Sequence, residues 1–128
     1  MIKILIVNDR TEARDRVKRI FESQLAKTAF GEAGTAREAF ELVRKENWDA
    51  AILDISLDVR NGLAVLKELN QNCPNLPVLI LGMHPEKQYA LRAFKAGAAA
   101  YITKDNSLKE LIEIIKTVST HEYKQHPA

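Results

Sequence analysis

The sequence lacks the features that would tie it to a membrane, a disulfide framework or a metal cluster. No apolar run approaches the ~20 residues that span a bilayer. The N-terminal run from Ile2 to Val7 is too short for a secretory signal. A single cysteine, Cys73, leaves no internal disulfide and fits a reducing cytoplasm. Cys73 sits in the turn-like QNCPN and reads as a partly buried bystander thiol. The three histidines, His84, His121 and His126, show no metal-ligand spacing. A formal charge of +2 is too mild to imply nucleic acid, and the basic stretch RTEARDRVKR reads as a solvated helix face. No glycine-rich loop follows the first apolar run, which argues against nucleotide or flavin binding. Internal repeats and long linkers are missing too.

What is present is an alternation. At 128 residues, 46% apolar and 28% charged, the chain suits one compact domain with a real core. Five apolar runs recur: KILIV (3–7), a weak TAFGEA (28–33), AAILDI (50–55), PVLILG (77–82) and AAYIT (99–103). Runs apolar on both faces suit central strands of a parallel sheet covered by helices on each side. Between them lie helical stripes, such as Ala13, Val17, Ile20, Phe21 and Leu25, or Leu108, Leu111, Ile112 and Ile115. Thr35 with Glu38 and Ser107 with Glu110 match the capping-box pattern. Asn61-Gly62 marks a loop and Gly97 a helix stop. The pattern predicts an α/β doubly wound sheet over residues 1–120, with 121–128 a polar tail or the start of a linker.

In such sheets ligands bind beyond the carboxyl ends of the strands. Those ends carry Asn8-Asp9, Asp54, Gly82 and Lys104. Two acids and a lysine at one edge can bind a divalent cation, Mg2+ preferring hard carboxylate oxygens, together with a phosphoryl group. A carboxylate can also attack phosphorus, with the lysine and metal neutralising the transferred charge. Each residue has a plainer reading. Asp9 with Glu12 can cap the first helix, and Lys104 can be a solvated loop lysine. Ser107 reads as an N-cap, Tyr101 as a packed strand aromatic, and Trp48 as the anchor of the turn before the third strand. Asp54 is harder to dismiss, since it ends a run predicted to be buried, where an unpaired acid is costly.

With these residues in view, the chain resembles a bacterial two-component response-regulator receiver domain. The matching stretches are ILIVND, AAILDISLDVRNGLAVLKEL, PVLILGMH and ALRAFKAGAAAYITKD, in order and across essentially the whole chain. Lys104-Asp105, and Met83-His84 after the fourth strand, resemble the subfamily whose receivers precede a LuxR-type helix-turn-helix output domain. The resemblance implies a flavodoxin-like (βα)5 fold with strand order 2-1-3-4-5. It implies Asp54 as phosphoacceptor and Lys104 as its phosphoryl contact. Asp9, Asp54 and the backbone carbonyl of Ser56 would hold Mg2+. Tyr101 would be the aromatic that repacks between states. The implied partner is a sensor histidine kinase or phosphotransfer protein, with a homodimer possible. DNA would be reached only through an output domain outside these 128 residues. Such a domain signals in the cytoplasm and is not an enzyme beyond self-phosphotransfer and autodephosphorylation.

Three positions depart from the family pattern. Asn8 stands where a second acid usually holds a metal-bound water. Asp9, Asp54 and Lys104 therefore sum to −1, where another Asp would give −2, so metal attraction weakens. Asn8 can still orient water. Gly82 stands where Thr or Ser usually bonds the phosphoryl oxygen, so a contact that would separate two conformations is missing. Backbone N–H groups of Gly82 or Met83 are partial substitutes. Asp58 replaces a frequent Pro and reads as a solvated loop acid. These departures favour a phosphorylatable receiver with weakened output, or a pseudo-receiver acting as a phosphorylation-independent interaction or dimerisation module. A small hydrolase is the distant alternative. It would need an acid two residues after Asp54, where Ser56 stands.

Overall fold

The computed structural model describes residues 2–24, 27–54, 59–82, 87–103 and 108–118. Five strands alternate with five helices: β1 (Ile2–Val7), α1 (Thr11–Gln24), β2 (Thr28–Ala33), α2 (Ala36–Lys45), β3 (Ala50–Asp54), α3 (Val59–Asn72), β4 (Val78–Gly82), α4 (Lys87–Lys95), β5 (Ala100–Thr103) and α5 (Leu108–Val118). The strands form one parallel sheet in the order β2-β1-β3-β4-β5, the flavodoxin-like topology that the family resemblance implied.

Side chains alternate across a strand, so each central strand feeds two cores. Leu5, Val7, Ala51, Leu53, Val78 and Ile80 face one side, where Ala39, Leu66, Leu69 and Ala93 of α2, α3 and α4 cover them. Ile4, Ile6, Ala50, Ile52, Leu79 and Leu81 face the other, under Val17 and Phe21 of α1 and Ile112 and Ile115 of α5. This double burial explains why β1, β3 and β4 read as unbroken apolar runs, whereas β2 at the edge reads weakly. Residues 25, 55 and 107, which the sequence assigned to a helix stripe, a strand and a cap, lie outside the described residues.

The local signals were mostly sound. Thr35 accepts a hydrogen bond from the Glu38 N–H at 3.1 Å, and the Glu38 carboxylate accepts from the Gly34 N–H at 2.8 Å. Gly97 ends α4 at φ 109°, and the Ala98 N–H closes back on the Ala93 carbonyl. Trp48 anchors the approach to β3 by donating its indole N–H to the Leu42 carbonyl at 3.0 Å. One expectation fails: Asn61-Gly62 is no loop but lies inside α3. The dipeptide marks a turn only where φ is positive, and Gly62 is not among the positive-φ residues. Gly62 is buried, and the burial of Leu66 and Leu69 along the same helix outweighs the glycine's weak helix propensity.

Candidate functional site

The chain leaves β1 in one direction and β3 in the other, so a crevice opens between their carboxyl ends. Register pairs Val7 with Leu53, which brings the next residues, Asn8 and Asp54, side by side. The Asn8 side-chain N–H donates to one Asp54 carboxylate oxygen at 2.7 Å. Its amide oxygen accepts the Arg10 N–H at 2.9 Å. Its main-chain N–H donates to the Ala33 carbonyl at 2.9 Å, and its main-chain carbonyl accepts from the Arg14 guanidinium. Asn8 is thus fixed at both amide ends, and the end facing Asp54 must be the donor. A second carboxylate there would instead repel Asp54. A hydrogen bond to a charged group of this kind contributes about 1.5–3 kcal/mol.

Asp9 follows on the exposed rim. It was expected to share in capping α1, but the side-chain oxygen that meets the backbone at this corner belongs to Asn8. Hard oxygen donors from Asp9 and Asp54 match what Mg2+ takes, one or two carboxylates completed by water and phosphate oxygens. Asn8, turned to donate, adds no charge to that set. Beneath Asn8 and Asp54 lies a cavity of about 50 Å³, with Ile6, Val17, Ile52 and Leu81 among its walls and Arg16 at its margin.

Gly82 and Tyr101 meet on adjacent strands. A Cβ built on Gly82 would lie 2.3 Å from the Tyr101 hydroxyl oxygen and 2.7 Å from Cζ. The ring tip therefore occupies the space that any larger residue at 82 would need. Tyr101 is half-buried and packs against the core on the α2–α4 side. Its packing role holds, and the partner is the unusual glycine.

Of the remaining predicted residues, Lys104 directly follows β5, and it lies outside the described residues, as do Ser56, Asp58, Met83, His84 and Ser107. Sequence reasoning missed Arg14. Its segment reads as a solvated basic face, yet the Arg14 side chain is only 15% exposed and pairs with Glu32 of β2 at 3.0 Å. Lys18 shares Glu32 at 2.9 Å. The hydrogen bond from Lys18 holds the Glu32 carboxyl below the usual range. The same bond raises Lys18 above the ordinary lysine range. Glu32 was a signal of sorts, an acid within an edge strand, but its partner was not readable from one sequence.

Comparison with known proteins gives a consistent picture. The family model described as the response regulator receiver domain matches residues 4–116. The chain is 35% identical over 128 residues to the transcriptional regulatory protein DegU of Brevibacillus brevis, covering 98% of this chain and 53% of the relative. It is 36% identical over 118 residues to a putative transcriptional regulator of Pseudomonas aeruginosa, covering 92% and 56%. The chain thus spans about half the length of these curated relatives. Among solved structures, a CheY-like receiver domain protein from Methanospirillum hungatei superposes with a TM-score of 0.82 at 27% identity, covering 98% and 99% of the two chains. A LuxR-family two-component response regulator from Aurantimonas sp. superposes with a TM-score of 0.82 at 30% identity, covering 91% and 84%.

Proposed function

Because the chain belongs to the response regulator receiver domain family of two-component systems, we propose that it accepts a phosphoryl group on Asp54 from a sensor histidine kinase or phosphotransfer protein. The step is magnesium-dependent, and the conformational output is weakened. The observation that carries this reading is the Asp54 carboxylate at the carboxyl end of a central strand, beside the β1–β3 crevice and held by Asn8. One Asp54 oxygen forms the new O–P bond while the donor's N–P bond breaks and its electron pair returns to the imidazole. Asp9, Asp54 and the Ser56 carbonyl would hold the metal, with Asn8 reaching it through water, and Lys104 would contact the phosphoryl group. When bound, the metal neutralises charge on the phosphoryl oxygens. The receiver unit occupies residues 1–120, works in the cytoplasm and has no chemistry beyond self-phosphotransfer and autodephosphorylation. Any DNA contact would come through an output domain.

Treatment with acetyl phosphate and Mg2+, read by intact mass, tests this directly. We expect the mass of one phosphoryl group on wild type and none on Asp54→Asn. No gain on wild type beside a competent control receiver overturns the reading.

The packing of Tyr101 supports the weakened output, and with it the second reading, a phosphorylation-independent interaction or dimerisation module. A ligand shifts an equilibrium only through contacts that differ between the two states. Gly82 offers no hydroxyl to the phosphoryl group, and Tyr101 already fills the space beside it. Beryllofluoride with Mg2+ is therefore expected to bind while moving Tyr101 little. A full rearrangement of the Tyr101 resonances would overturn this part.

A further inference from the structure

Arg14 makes three hydrogen bonds to three different parts of the site's frame. One Nη donates to the main-chain carbonyl of Asn8 at the end of β1, Nε donates to Glu32 of β2 at 3.0 Å, and the other Nη donates to Thr11 Oγ1 at the start of α1 at 3.2 Å. Guanidinium is planar and rigid, so three partners in different directions fix it in place. A solvated basic face would not bury such a side chain to 15% exposure.

The carbonyl that Arg14 holds belongs to the peptide joining Asn8 to Asp9. Both side chains proposed for the metal edge of the site hang from this unit. Turning it would swing the Asn8 amide off Asp54 and re-aim the Asp9 carboxylate. We infer that Arg14 is a positioning residue of the phosphoacceptor site, setting the Asn8 amide on Asp54 and the aim of Asp9 from the α1–β2 surface. This rests on the reading of Asp54 as phosphoacceptor. Lys18 lies on the same helix face and shares Glu32, and among the described residues it pairs with Glu32 and Asp15 rather than with Asn8. It therefore separates a general loss of surface charge from a loss of positioning.

The test compares Arg14→Gln, Arg14→Lys and Lys18→Gln in the full 15N-labelled chain. The Asn8 side-chain amide resonances are followed without ligand, with Asp54→Ala marking the position of an amide that has lost its acceptor. The affinity for beryllofluoride in Mg2+ is then measured by calorimetry. We expect Arg14→Gln to move the Asn8 resonances most of the way toward the Asp54→Ala position and to weaken beryllofluoride about fivefold, the scale of losing part of a charge-assisted hydrogen bond. Arg14→Lys, which keeps the charge and loses the fork, should fall between. Lys18→Gln should leave both readouts within about twofold of wild type, as expected of an exposed ion pair. If Arg14→Gln matches Lys18→Gln in both, the inference is wrong. Should wild type bind no beryllofluoride, the phosphoacceptor reading fails, while the resonance comparison still decides what Arg14 does.

Discussion

The two ends of the sheet use the same packing device for different purposes. Near the amino end of β3, the Trp48 ring lies on Gly31, where a Cβ would meet Cη2 at 2.3 Å. At the carboxyl end of β4, the tip of the Tyr101 ring lies on Gly82, where a Cβ would meet the hydroxyl oxygen at 2.3 Å and Cζ at 2.7 Å. Around Trp48, polar groups turn back onto the fold. The indole binds Leu42, Lys3 sits 4.9 Å from the ring centre, and the Asp49 carboxylate accepts the Lys3 N–H at 2.8 Å. The carboxyl end differs, since Asp9 stays exposed and Asn8 spends its amide on Asp54. A ring on a glycine thus closes a structural corner at one end. At the other it fills the space that a side chain at position 82 would need, beside the candidate site.

That contrast makes Gly31 the costlier glycine to lose. Trp48 is 9% exposed and tied at its indole, so it cannot step aside from a new side chain. Gly31→Val should destabilise by about 3 kcal/mol, the upper range for overpacking, as read by urea unfolding. A loss below that of any change at Gly82 would break the comparison. Asn8→Asp comes next. It replaces a donor with a carboxylate beside Asp54, removing a bond and adding repulsion, for about 2 kcal/mol without metal. Magnesium should restore much of that loss, because it binds only the folded site. Wild type should gain less from the same metal. Equal stability of the two proteins without Mg2+ would show that the Asn8–Asp54 bond contributes little.

Most of the fold was legible because its signals are local or periodic. Apolar runs placed all five strands within one residue at each end that is described, and the Thr35–Glu38 box and Gly97 stop were read correctly. The site was half legible. Strand ends named Asn8, Asp9, Asp54, Gly82 and Lys104, since topology alone brings strand ends to one edge, whereas Tyr101 read only as a packed strand aromatic. Which contacts they make was not legible. That Asn8 faces Asp54 as a donor depends on Arg10 N–H, Ala33 and Arg14, and that Tyr101 covers Gly82 depends on register between β4 and β5. Asn61-Gly62 misled for a related reason: tertiary burial of α3 overrode a local turn preference.

Gly82→Thr should cost less than Gly31→Val, about 1 kcal/mol, because Tyr101 is only half-buried whereas Trp48 is nearly fully buried. Its ring should move away and become more accessible to solvent, visible in its aromatic NMR signals. Adding Tyr101→Ala removes the steric conflict, so Gly82→Thr in that background should cost almost nothing. The expected coupling is about 1 kcal/mol. Equal costs in both backgrounds would mean that the ring and the glycine are independent.

The smallest effect tests whether the α1–β2 brace behind Asn8 is electrostatic. Glu32 is held below its ordinary range chiefly by the hydrogen bond from Lys18, with Arg14 adding to it. Its folded form therefore binds protons less readily than its unfolded form. The stabilisation is present above the unfolded carboxyl range and is lost as pH falls through the lowered folded value. Lys18 is raised, so its share is complete below the ordinary lysine range and is lost only as pH rises through the raised folded value. Between these limits the brace should contribute a constant amount, below about 1 kcal/mol because both side chains are partly solvated. Urea titrations of wild type and Glu32→Gln should differ by that amount at neutral pH and converge in acid. High salt should narrow the gap as well. A gap that persists unchanged at low pH would assign Glu32 a packing role and leave Arg14 to hold Asn8 without help from charge.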